Sequence, residues 1–309
     1  LGTPLRGAHR IVIPPRTADG SDAVGCGRSA VAPAGGARRI VVVQTQRMGD
    51  LLCLTPMLAA LHRERPEARL AVIAQGPGDA LLRGNPAVET IFRYDRRAVR
   101  TPRGLMRFVG RLRAWKAEWA LTIHAAAWVS VALALAGIRR RTCVWRYGES
   151  RPPRWSRLYG ERVVQERDRA GRHEVEHNLA VLRALGFAAE PGPLAVYLDE
   201  EDHAEAERAL ARHGVGAHEP LVALHPGHAG GRQEWPATHY IAVGRELAAA
   251  GARILVTGAG REAAVVARVA EGIGSAAVAL AGAVSVRGLG ALLARCRVLV
   301  CVPTGPMHL

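Results

Sequence analysis

Residues 39–65 read RIVVVQTQRMGDLLCLTPMLAALHRER, and the order of residue types within them decides the fold. Ile40, Val41, Val42 and Val43 form a short β-branched run of the kind buried on both faces of a parallel sheet. Residues 44–50 follow as a polar loop ending in Gly49-Asp50. Leu51, Leu54, Leu58 and Leu61 then recur at helical spacing, and Pro66 closes the pattern, which predicts one helix over 51–65. A second apolar run, LAVIA at 70–74, completes a strand–helix–strand unit. Such a unit implies a right-handed crossover between parallel strands.

Outward from this unit the same grammar returns. Strands are predicted at 221–224, 253–257, 277–280 and 298–302, with helices at 240–250, 262–273 and 286–294. A polar stretch at 190–216 separates the two blocks and carries Glu200, Glu201, Asp202, Glu205 and Glu207 on a connecting helix. Residues 1–37 are rich in Gly, Pro, Ala and Arg and show neither period, so they read as a disordered leader. The expected organisation is a leader over 1–37 and two Rossmann-like α/β domains, over 38–195 and 196–309.

Composition narrows the class. Of 309 residues, 49% are apolar and 22% charged, a globular balance. Lys+Arg 42 against Asp+Glu 27 leaves a formal charge of +15, and Lys116 is the only lysine. Five scattered cysteines, Cys26, Cys53, Cys143, Cys296 and Cys301, form no CxxC pair, which argues against a disulfide framework or a zinc site and for a reducing compartment. Residues 120–138 have the minimal length of a membrane span, but His124, Ser130 and the alanine content favour a buried strand followed by a buried helix.

Four loops lie where ligands gather in open α/β sheets, just past predicted strands. In the first, Gly49 lets backbone approach a ligand, and Asp50 sits at a helix start where the dipole favours a carboxylate. Asp50 suits either a cap or a general base. The second, residues 225–236, HPGHAGGRQEWP, offers backbone N–H groups and the Arg232 guanidinium to a phosphate. The third, TGAGREA at 257–263, satisfies GxGxxG/A, but no carboxylate stands about 20 positions on to hold a ribose. It therefore reads as a Gly-rich turn with Glu262 close enough to bind hydroxyls. The fourth is PTGPMH at 303–308, whose Thr304, Gly305 and His308 suit a phosphate.

Taken in order, four segments resemble glycosyltransferase family nine, the heptosyltransferase family of the GT-B fold. They are residues 39–65, residues 173–186 (HEVEHNLAVLRALG), residues 223–240 (ALHPGHAGGRQEWPATHY) and residues 254–309. The resemblance implies two Rossmann-like parallel-sheet domains facing a cleft, with residues 38–195 on the acceptor side and residues 196–309 binding the nucleotide-sugar. It implies Asp50 as the base that deprotonates an acceptor hydroxyl. Gly227, His228 and Arg232 would lie along the donor diphosphate, Glu262 by the ribose, Val284 by the base, and Thr304, Gly305 and His308 on the phosphates. The implied reaction is inverting transfer of a sugar, a heptose by analogy, from a nucleotide-diphosphate donor. The acceptor would be a lipopolysaccharide-core-like glycolipid, reached from the cytoplasm at the inner membrane face, with no cofactor and no metal. It further implies that the second domain continues past Leu309. The chain departs from the family pattern at Gln233, where a lysine is usual, at Pro303, where an aspartate is usual, at Pro306, which has no N–H, and at Val129 before Ser130, where a basic residue is usual.

Eleven arginines between Arg139 and Arg172 mix with Trp145, Tyr147, Trp155 and Tyr159. That mixture suits single-stranded nucleic acid, a phosphorylated glycolipid or anionic membrane, or a solvated face. The family resemblance favours the lipid-linked anion over nucleic acid. Two rival functions share the fold: a nucleotide-sugar epimerase, and a nucleotide-sugar binding protein weakened at Gln233 and Pro303.

Overall fold

The computed structural model describes residues 10–13, 36–124, 126–147, 154–166, 173–227 and 235–309. They divide into two compact units, one over the described residues of 12–195 and the other over those of 196–309 together with Arg10 and Ile11.

The first unit holds β2 (Arg39–Gln44), α1 (Met48–Leu52), α2 (Thr55–Glu64), β3 (Arg69–Gln75) and β4 (Thr90–Tyr94). It continues with α3 (Pro102–Trp115), β5 (Trp119–His124), α4 (Ala127–Leu135), β6 (Arg140–Tyr147), β7 (Glu161–Glu166) and α5 (Glu174–Ala184). A short strand β1 (Arg10–Ile13), inside the stretch read as a leader, pairs with β8 (Leu194–Tyr197); the rest of residues 1–35 lies outside the described residues. The six-stranded sheet is parallel throughout, in the order β4-β3-β2-β5-β6-β7. The run Ile40–Val43 sits at its centre with at most 1% exposure per residue, which is why it has no polar alternation. Val42 faces α2 and α5 on one side, while Val41 and Val43 face α3 and α4 on the other.

The predicted single helix over 51–65 is two helices. The chain breaks at Cys53 and Leu54, and Thr55 opens α2 with Pro56 in its first turn, where proline's missing N–H is not needed. Residues 120–138 are a strand and a helix, β5 and α4, as their composition suggested. The strand is buried as far as Ile123, but the helix is buried on one side only: α4 covers Val129, Ser130, Ala132 and Leu133 and exposes Trp128 and Leu135. Among the described residues no helix is long and apolar enough to cross a membrane. Part of the arginine–aromatic mixture serves the interior. Arg140 caps the Trp119 ring at 4.4 Å and pairs with Glu161 at 3.0 Å, and Glu161 accepts from the Thr142 hydroxyl that itself accepts from Trp119 Nε1. Arg141 donates to the Leu158 carbonyl, and Trp155 packs on Tyr159. The side chains of Trp145 and Tyr147 lie outside the described residues.

The second unit holds α6 (Glu200–Ala211), β9 (Leu221–His225), α7 (Ala237–Ala249), β10 (Arg253–Gly258) and α8 (Ala263–Ile273). After them come β11 (Ala277–Ala281), α9 (Val286–Arg295), β12 (Cys296–Cys301) and a 3₁₀ turn over Gly305–His308. Its sheet is parallel in the order β11-β10-β9-β12. α6 and α9 are locked by Arg287, 3% exposed, which binds both Asp202 oxygens and the Tyr197 carbonyl.

Both sheets share a feature that residue spacing does not disclose. The chain leaves β2 through β3 and β4 on one side, then restarts at β5 on the other. It leaves β9 through β10 and β11, then restarts at β12. Loops diverge at such a switch point and leave a crevice at the carboxyl ends of the strands, where open α/β sheets bind ligands.

Candidate functional site

The Asp50 loop leaves β2 at the first switch point. Thr45 donates its N–H to the His124 carbonyl at 3.1 Å, joining the carboxyl ends of β2 and β5. Gln46 N–H reaches its own turn through Gln44 Oε1 at 3.3 Å. Asp50, half-buried in the first turn of α1, accepts the Arg47 N–H on Oδ2 at 3.1 Å. One carboxylate oxygen is thus spent on the cap. The helix start also gives the charge a favourable dipole.

The family-like segment at 173–186 supports this helix from behind. His173 caps α5 by accepting the Val175 N–H, and buried Asn178 donates to the Cys53 carbonyl at 3.0 Å, holding the end of α1. The Thr55 hydroxyl donates to Leu52 O at 2.7 Å and accepts the Ala195 N–H at 3.1 Å. Burial, with the charges of Glu174 and Asp50 adding to it, pushes the Cys53 thiol up to about 12, so it stays protonated. Ser130 does not face a ligand; it is buried against the Tyr159 hydroxyl at 2.9 Å.

In the second unit the predicted donor residues collect along the carboxyl edge of one sheet. Gly227 follows β9 and is buried. Glu262 follows β10, its side chain 11% exposed, and accepts the Ala259 N–H on Oε2 at 2.7 Å. The two touch: a Cβ on Gly227 would stand 2.5 Å from Glu262 Cδ. A side chain at 227 would therefore displace the end of the Glu262 side chain. Val284 lies in the turn between β11 and α9. Thr304 and Gly305 follow β12, the neighbour of β9, with Cys301 in register with His225. The Thr304 hydroxyl is buried and has no hydrogen-bond partner among the described residues, an uncompensated group that a ligand oxygen would satisfy. His308 is half-buried at the end of the 3₁₀ turn, and Pro306 is buried. His228, Arg232 and Gln233 lie outside the described residues.

Four residues to which sequence reasoning gave no role, His225, Thr257, Trp235 and Tyr240, organise this edge. His225 Nδ1 meets the Thr257 hydroxyl at 2.9 Å, joining β9 to β10. Burial pulls His225 below its usual 6.5, against a smaller opposing pull from Glu262, so the ring is neutral at pH 7. Tyr240 donates to the His225 carbonyl at 3.3 Å, and Trp235 packs edge-on against the Tyr240 ring at 4.7 Å. His225 is polar at the end of an apolar strand, which was the available signal; the Tyr240 contact is non-local and left none.

A family model described as glycosyltransferase family 9 (heptosyltransferase) matches residues 105–309. Lipopolysaccharide heptosyltransferase 3 of Escherichia coli is 23% identical over 266 residues, which is 84% of this chain and 76% of that protein. The structure of a family 9 glycosyl transferase from Veillonella parvula DSM 2008 is similar with a TM-score of 0.77 at 21% identity, covering 88% of this chain and 77% of its own. The E. coli heptosyltransferase WaaC solved with ADP gives 0.68 at 21% identity over 87% and 82%. The same enzyme solved with ADP-2-deoxy-2-fluoro heptose gives 0.66 over 87% and 84%. Two parallel sheets of this kind, with well over half of the chain inside the family match, lead to one conclusion: the chain belongs to glycosyltransferase family 9, the heptosyltransferase family, and is a glycosyltransferase of GT-B fold.

Proposed function

We propose that the protein transfers a heptose, with inversion, from ADP-heptose or a close relative to a lipopolysaccharide-core-like glycolipid at the cytoplasmic membrane face. The observation that carries the reading is the placement of the described candidate residues at the carboxyl edges of two parallel sheets. Asp50 follows β2 at one switch point, and Gly227 and Thr304 flank the other. The nucleotide in the similar WaaC structures, ADP, supports an adenosine diphosphate leaving group.

In this mechanism the free oxygen of Asp50 takes the proton from an acceptor hydroxyl. The acceptor oxygen so freed attacks the anomeric carbon as the bond to the diphosphate breaks on the opposite face, which inverts the centre. Backbone N–H groups near Gly227, with His228 and Arg232, meet the diphosphate, and Thr304, Gly305 and His308 close on it. Glu262 takes the ribose hydroxyls and Val284 packs on the base. Stabilising the leaving charge with fixed donors lowers the barrier to departure.

The test is incubation with ADP-heptose, with and without a heptose-free core glycolipid, followed by mass and anomeric analysis of products. The proposal predicts a heptosylated acceptor of inverted configuration and an unchanged donor when acceptor is absent. An isomerised donor in the absence of acceptor would instead identify an epimerase. Calorimetric donor binding without transfer would identify the binding protein suggested by Gln233 and Pro303.

A further inference from the structure

We infer that the outer surface of α3 and α4 docks the protein onto an anionic phospholipid bilayer. Five large apolar side chains are markedly exposed among the described residues, and three of them, Met106 (54%), Trp128 (41%) and Leu135 (43%), lie on these two helices. On α3 the exposed stripe is Arg103, Met106, Arg107 and Gly110, one face at helical spacing, while Phe108, Val109 and Leu112 face the sheet. α4 carries no charge at all, and Trp128 and Leu135 stand two turns apart on its outer side. The two helices are tied by Arg113, which donates to the Leu135 carbonyl at 2.6 Å, so Met106 and Leu135 belong to one surface.

Charge selects the occupant. Between residues 102 and 147 Glu118 is the only carboxylate, and it is occupied by the Arg38 N–H. Arg100, Arg103 and Arg107 are exposed and form no ion pair among the described residues. Across α4 the exposed Arg154 and Arg157 of the 3₁₀ turn Arg154–Leu158 continue the basic rim. Basic side chains around exposed tryptophan, leucine and methionine match a headgroup layer, which supplies anions outside and an apolar boundary beneath. A protein partner would bring its own carboxylates to such a rim. A nucleic acid would leave Met106 and Leu135 without apolar cover. Neither kind of signal binds stably alone, but charge and apolar insertion together do. The choice of lipid rests on the glycolipid acceptor proposed above; the surface itself does not.

The test is sedimentation of the full chain with vesicles of phosphatidylcholine alone, or with about a third phosphatidylglycerol, in the absence of donor and acceptor. The expected result is binding only to anionic vesicles, weakening as salt rises. Arg103→Gln with Arg107→Gln should weaken it on the order of thirtyfold, at roughly a factor of five per arginine near the surface. Met106→Ser with Trp128→Ser should also release the protein, even at low salt, while Arg208→Gln with Arg212→Gln, in the last turn and at the C-cap of α6, leaves binding unchanged. Circular dichroism of each variant reports its fold. Equal binding to neutral vesicles, indifference to the α3 and α4 variants in folded protein, or tighter binding to an oligonucleotide at physiological salt would overturn the inference. Because no transfer is read, the proposed reaction can fail while docking stands, and the reverse.

Discussion

Replacing Gly227 with alanine probes the donor edge with the least chemistry. The added methyl would stand 2.5 Å from Glu262 Cδ and within contact distance of both its oxygens. Either the β9 loop shifts or the carboxylate leaves the Ala259 N–H it accepts at 2.7 Å. Losing a hydrogen bond to a charged group costs about 1.5–3 kcal/mol. If Glu262 also holds the donor ribose, the same displacement should weaken donor binding by roughly 10- to 150-fold. Calorimetry with ADP gives the affinity, and denaturant unfolding gives the stability. The decisive comparison is a cycle with Glu262→Ala, since the methyl harms binding only by moving that carboxylate. Residues in contact are expected to be non-additive, so the double variant should bind ADP no worse than Glu262→Ala alone. Additive losses, or a Gly227→Ala variant with wild-type affinity, would refute the placement of Glu262.

Other outcomes follow from groups farther from the ligand. Arg287→Leu leaves the Asp202 carboxylate buried without its partner and should cost about 3–5 kcal/mol in chemical denaturation, whereas Arg208→Ala, at an exposed pair, should cost under about 1 kcal/mol. His225, held below 6.5 by burial, is neutral in the folded state while the unfolded chain takes up a proton as pH falls through 6.5. Stability should therefore decline from pH 6.5 downward until the folded ring itself titrates, and His225→Gln should flatten that part of the profile in thermal unfolding. Burial pushes Cys53 up to about 12 and Cys143 up to about 11, so iodoacetamide at pH 8 should label neither in folded protein and both after denaturation, read by peptide mass.

What sequence alone discloses here is set by the range of each interaction. The run Ile40–Val43 announces a central parallel strand because burial on both faces removes polar residues locally. The Gly-rich loops are equally local, so Glu262 and Thr304 can be named as candidates from them alone, whereas the closeness of Gly227 to Glu262 emerges only in the fold. The break between α1 and α2 is hidden because Leu51, Leu54 and Leu58 keep one period across it; only Pro56 marks the restart. Arg140 and Arg141 look like a ligand-gripping pair until Glu161 and the Leu158 carbonyl, about 20 residues away, are seen to hold them. The switch points are the same case at larger scale: strand order depends on which edge β5 and β12 join, and no spacing within the chain records it.

The central claim is that Asp50 removes the acceptor proton, and single-turnover transfer by Asp50→Asn tests it most directly. Asparagine keeps an oxygen for the Arg47 N–H and so preserves the start of α1, but it has no basicity. With donor affinity checked by calorimetry, the account predicts unchanged ADP-heptose binding and a transfer rate lower by about 10²- to 10⁴-fold. Transfer at the wild-type rate by a correctly folded Asp50→Asn protein would contradict it.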